Sequence, residues 1–114
     1  MNDCIFCSIA RGEIDTQRVY EDDEMVAFRD VQPQAPTHIL IVPKTHIPDL
    51  VAADPDQAAL LGRMQLRAAA LAQQEGIDSS GFRTVLNVGP DAGQSVDHLH
   101  LHLLGGRRLT WPPG

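Results

Sequence analysis

The chain has 114 residues, the size of one domain, with little room for a second core. Hydrophobic residues make up 43% and charged residues 21%, the balance of an ordinary globular protein. Nine Lys and Arg against fifteen Asp and Glu give a formal charge of −6, which argues against nucleic acid as a partner but leaves room for a small phosphorylated ligand held by local donors.

The opening Met1-Asn2-Asp3-Cys4 has neither the basic start nor the apolar stretch of an export signal. The fully apolar runs are far shorter than the roughly 20 residues that span a bilayer. The expectation is a cytoplasmic protein without a membrane partner, whose two cysteines are thiols or metal ligands rather than a disulfide. A short helix is expected around Phe6 to Arg11. Met25 to Phe28 and His38 to Val42 read as strands, each closed by turn-type or proline residues. Asp54 is a good N-cap with Pro55 pre-set for the first helical position, and Leu60, Leu61, Met64, Ala68, Leu71 and Ala72 then share one stripe. Gly76 supplies the stop. That stripe is core. Phe82 to Val88 and His98 to Leu104 read as further strands, separated by the loop Gly89 to Ser95. Strands grouped before and after one long helix predict an α+β fold with a mainly antiparallel sheet.

The last of these strands carries the chemistry. In His98-Leu99-His100-Leu101-His102-Leu103-Leu104 the residues alternate, so a strand puts three imidazoles on one face and the leucines on the other. The leucine face explains itself as core; three histidines in register need another reason. They could ligate a metal, or one could act as nucleophile while its neighbours position the reacting group. Just upstream, Gly93-Gln94-Ser95 offers backbone N–H groups, an amide and a hydroxyl, which suits a phosphate. Arg107 and Arg108, by contrast, read as a solvated surface pair.

The run from Gly93 to Leu104 resembles the signature of the histidine triad (HIT) nucleotide hydrolases and transferases. The likeness extends through Cys4-Ile5-Phe6-Cys7, Tyr20-Glu21-Asp22-Asp23, Ala27-Phe28-Arg29-Asp30, Pro43-Lys44-Thr45-His46 and Asn87-Val88-Gly89. The ending Trp111-Pro112-Pro113-Gly114 resembles the Hint branch, the purine nucleoside phosphoramidases. The resemblance implies a five-stranded sheet with one long and one short helix, paired into a homodimer. It implies hydrolysis of nucleoside 5′-phosphoramidates through a nucleotidyl-His100 intermediate, with no cofactor needed for the chemistry. His102, Ser95, Asn87 and the backbone near Gly93 and Gln94 would hold the phosphoryl oxygens. Asp30 would take the ribose hydroxyls, and Val31, Phe6, Ile9 and Ile14 would line a purine pocket. Dinucleoside polyphosphate hydrolysis or nucleotidyl transfer is the alternative within the family, and a nucleotide- or zinc-binding interaction module the alternative outside enzymes.

Cys4-x-x-Cys7 alone fits redox motifs as well as metal sites, but no thioredoxin-like βαβ unit surrounds it. Two thiolates and two imidazoles would complete a structural zinc site. Resemblance to zinc-bearing bacterial members implies Cys4, Cys7, His46 and His98 as the ligands, with His38 competing for the third place. Zinc there would hold His98 beside the nucleophile.

Overall fold

A computed structural model describes residues 4–114; the opening Met1-Asn2-Asp3 lies outside them. In chain order the elements are α1 (Ile5–Ala10), β1 (Arg18–Glu21), β2 (Met25–Arg29), β3 (Thr37–Pro43), α2 (Ala58–Gln74), β4 (Phe82–Leu86) and β5 (Leu101–Gly105). The strands form one sheet in the order β1-β2-β3-β5-β4, with every neighbouring pair antiparallel. The expected α+β class is therefore observed, with one long and one short helix.

The sheet has a helix on each face. β3 sits at its centre and is buried along all seven residues. Met25, Ala27, Ile39, Ile41, Leu101 and Leu103 face α2 and meet Met64, Ala68, Leu71 and Ala72 from its stripe. On the opposite face Val26, Phe28, Leu40 and Val42 pack against Phe6 and Ile9 of α1. This is the period-two pattern of strands buried on both sides.

Asp54 does cap, but its first product is a 3-10 turn over Pro55–Gln57 that runs into α2. Its carboxylate accepts the Asp56 N–H at 2.9 Å, while the Gln57 side chain accepts the Asp54 N–H at 2.8 Å. At the far end Gly76 takes φ +74°, and the Ile77 N–H reaches back to the Ala72 carbonyl at 3.0 Å. Among the described residues, no helix is long and apolar enough to cross a membrane.

Two strand boundaries differ from expectation. β4 ends at Leu86 rather than Val88, and β5 begins at Leu101 rather than His98. The ladder with β3 runs only from Thr37↔Gly105 to Ile41↔Leu101. Upstream, the Leu99 N–H donates instead to the Ile47 carbonyl at 2.7 Å. Residues 98–100 thus lie against the segment leaving β3. Their alternation persists, with Leu99 in the α2-side core.

Candidate active site

A cavity of about 280 Å³ opens on the α1 face of the sheet. His100, His102 and Ser95 line one part of it; Phe6, Ile9 and Ile14 line another, and Asp30 and Val31 come from the end of β2. The register explains the meeting. Leu40 of β3 opposes His102 of β5 and also Phe28 of β2, so these side chains share one face. Phe6 from α1 then lies edge-on to His100, with ring centroids 5.0 Å apart. The His100 and His102 rings are 5.1 Å apart.

Backbone partners set the proton on each ring. His100 Nδ1 lies 2.8 Å from the His98 carbonyl, which can only accept, so the proton sits on Nδ1 and the Nε2 lone pair is left available. His98 Nε2 likewise donates to the Pro43 carbonyl at 2.8 Å, which leaves its Nδ1 as a ligand atom. His38 Nδ1 accepts the Gln34 N–H at 3.0 Å, so its Nε2 carries a proton. That Nε2 is 2.9 Å from His102 Nδ1 and 3.5 Å from an Asp30 carboxylate oxygen. A neutral His102 accepting at Nδ1 must carry its proton on Nε2, and that buried atom has no partner among the described residues. Asp30, His38 and His102 also lie close enough to hold an ion, but the proton on His38 Nε2 stands where the ion would bind. They form a hydrogen-bonded chain ending in an unanswered donor.

Burial lowers the pKa of His102 to about 4, with the neighbouring His100 and His38 adding to the effect. Burial also lowers His38, against a raising influence from Asp30. Both rings are therefore neutral near pH 7, and His102 acts as a neutral N–H donor.

Behind His98 lies a second cluster. Cys4, Cys7, His46 and His98 place their four ligand atoms within 4.8 Å of one another. Three contacts measure 3.2 Å, namely Cys4 Sγ to His98 Nδ1, Cys7 Sγ to His46 Nδ1 and His46 Nδ1 to His98 Nδ1. Cys7 Sγ is 3.5 Å from His98 Nδ1. A tetrahedral zinc with bonds of about 2.0–2.3 Å has ligand-to-ligand edges of about 3.3–3.8 Å; the observed 3.2–3.5 Å separations lie at the short end of that range, so a small outward adjustment lets these donors hold one. The Cys7 N–H also points at Cys4 Sγ, 3.3 Å away. His38, the competitor for this set, belongs to the other chain of histidines.

The loop before the triad is held by its own hydrogen bonds. The Gly93 and Gln94 N–H groups are engaged by the Pro90 and Gly89 carbonyls at 3.0 and 3.1 Å. The Gln94 amide braces the loop, donating to the carbonyls of Pro48 and Val96 and accepting from the Gly89 N–H. Gly93 and Gln94 thus fix the shape of the loop that carries Ser95 to the cavity. Sequence reasoning missed the position of His38 beside His102, and missed Leu40 and Phe28 as cavity wall. Only the registers of β3 against β2 and β5 could have revealed them.

Fold and site together define a class: small α+β proteins that set three alternating histidines against a cavity under a short N-terminal helix. The HIT domain matches residues 11–109. An uncharacterized HIT-like protein of Synechococcus elongatus is 56% identical over 112 residues, covering 98% of this chain and 97% of that one. The 14 kDa zinc-binding protein of Brassica juncea is 48% identical over 114 residues, covering 98% and 100%. A HIT family hydrolase from Legionella pneumophila has a similar structure, with a TM-score of 0.96 at 53% identity, covering 98% and 100%. A Zn-bound histidine triad family protein from Mycobacterium smegmatis gives a TM-score of 0.81 at 32% identity, covering 96% and 81%. The chain belongs to the HIT family.

Proposed function

We propose that the protein is a nucleotide hydrolase that cleaves nucleoside 5′-phosphoramidates to the nucleotide and an amine, through a covalent bond to His100. One observation carries the reading: His100 has its Nδ1 proton pinned to the His98 carbonyl, which leaves the Nε2 lone pair of a cavity-lining ring for attack. That nitrogen attacks the α-phosphorus, the scissile P–N bond breaks, and the departing nitrogen takes a proton from solvent and leaves as the amine, the water of the second step later returning one. The His98 carbonyl holds the proton of the positively charged ring that results. His102 Nε2–H and the Ser95 hydroxyl donate to the phosphoryl oxygens as charge builds there. Water then attacks the same phosphorus and restores free His100. Phe6, Ile9, Ile14 and Val31 present apolar surface to a purine, and Asp30 accepts from the ribose hydroxyls.

Cys4, Cys7, His46 and His98 would hold a structural zinc ion. When bound it would supply no step of the reaction; it would tie α1 to the His98–His100 segment that leads into β5. The zinc-binding relative from Brassica juncea and the Zn-bound protein from Mycobacterium smegmatis support this part, as the Legionella hydrolase supports the enzymatic part. The reading includes a cytoplasmic homodimer, for which the open β4 edge and the adjoining hollow lined by Leu50, Leu61, Leu86 and Leu99 offer apolar surface.

Steady-state hydrolysis of adenosine 5′-phosphoramidate, set beside diadenosine polyphosphates, tests the proposal. Preference for the phosphoramidate supports it. A preference for the polyphosphates moves the chain to the other substrate class, and AMP binding without turnover of either overturns the enzyme reading.

A further inference from the structure

The nine lysine and arginine side chains divide unevenly. Five pair with carboxylates: Arg11 with Glu13, Arg18 and Lys44 with Glu21, Arg29 with Glu75, and Arg63 with Glu24. Arg67 lies over the Tyr20 ring, 3.7 Å from its centroid. The remaining three, Arg83, Arg107 and Arg108, have no carboxylate partner among the described residues, and all three line one hollow. Acidic residues outnumber basic ones fifteen to nine, so the pattern does not come from a shortage of carboxylates.

The hollow is built where β4 begins and β5 ends. Phe82 pairs with Gly105, which brings residues 80–83 beside residues 106–109. Gly81 and Gly106, with φ of +115° and +89°, turn the chain away on either side. Two of the three guanidinium groups are held by carbonyls. Arg83 Nη2 donates to Thr110 at 3.0 Å. Arg107 Nε donates to Gln34, and its Nη1 to Arg108, both at 3.0 Å. Each guanidinium carries five N–H donors, so most have no hydrogen-bond partner among the described residues. Ser80 also lines the hollow, which continues into an adjoining space of about 640 Å³. Neither space shares a residue with the His100 cavity.

Three like charges gathered without a counter-charge repel one another, and a multivalent anion relieves that. A phosphoryl group carries about −1.5 to −2 near neutral pH, so two linked groups match three guanidinium ions better than one carboxylate does. We infer that Arg83, Arg107 and Arg108 form a second anion site, apart from the His100 cavity, for the diphosphate or polyphosphate group of a small molecule. The opposing source of negative charge is a carboxylate from a second copy of this acidic chain, and the test separates the two.

The whole 114-residue chain, isotopically labelled for amide NMR, is titrated with inorganic diphosphate. Saturable shifts are expected at residues 80–83 and 106–109, weakening as salt rises. Arg108→Gln, which removes no hydrogen bond made by that side chain within the protein, should weaken binding about tenfold or more; Arg83→Gln should do the same. Phosphoramidate turnover in Arg108→Gln should match the parent. His100→Ala should keep the shifts, which separates this site from the proposed catalytic one. Shifts confined to Ser95 and His100, or indifferent to both arginine substitutions, overturn the inference. So does sedimentation in which the parent self-associates without diphosphate and Arg108→Gln does not.

Discussion

Acid should reveal how the fold keeps His102 neutral. Above pH 6.5 the ring is uncharged both folded and unfolded, so it contributes nothing to the pH dependence. Below that, the unfolded chain takes up the proton while the folded ring, with its pKa near 4, refuses it, so stability falls as pH drops from 6.5 to 4. That interval, at about 1.4 kcal/mol per pH unit, corresponds to roughly 2–3 kcal/mol once partial exposure is allowed for. His102→Gln keeps an acceptor for His38 Nε2–H but has nothing to protonate. The stability difference between parent and variant should therefore shift by roughly 2–3 kcal/mol against the parent between pH 7 and pH 4. Urea unfolding followed by circular dichroism measures it; Trp111, 80% exposed, would be a poor reporter. A chelator in every sample keeps metal occupancy constant. A difference that stays flat across that range refutes the reasoning.

Three further outcomes follow from the packing. Phe6→Ala removes the ring that touches Phe28, His98 and His100, and should cost about 3–5 kcal/mol in chemical unfolding while raising KM for the nucleotide. Gly105→Ala pushes a methyl group against the end of the buried Ile77 side chain, which must change rotamer, and should cost about 1 kcal/mol, seen as a slightly lower Tm. Chelation, or Cys7→Ser, should release zinc measured by elemental analysis and lower Tm by several degrees, with protection from hydrogen exchange lost first in α1.

Much of this was legible from residue order. The helix stripe, the Asp54 cap and the Gly76 stop are local signals, and each acts within a turn of itself. The leucine and histidine faces of residues 98–104 followed from period two even though regular pairing begins only at Leu101. What stayed hidden depends on register. β1, a short edge strand with a bulge between Arg18 and Tyr20, has no clear alternation, and only family likeness suggested it. The position of His38 required knowing that Leu40 opposes His102. The bonds by which Gly93 and Gln94 hold their own loop together were not legible, because a sequence shows donor types but not which carbonyls they meet. Arg83 lies far from Arg107 and Arg108 in the chain, so their shared hollow appears only in three dimensions.

The most direct measurement is mass spectrometry of protein quenched with acid-free denaturant during turnover of adenosine 5′-phosphoramidate. The account predicts an AMP adduct that maps to the peptide bearing His100 and is missing from His100→Ala, which should also lose at least about a thousandfold in rate. Undiminished turnover by that variant, or an adduct on a different side chain, would contradict it.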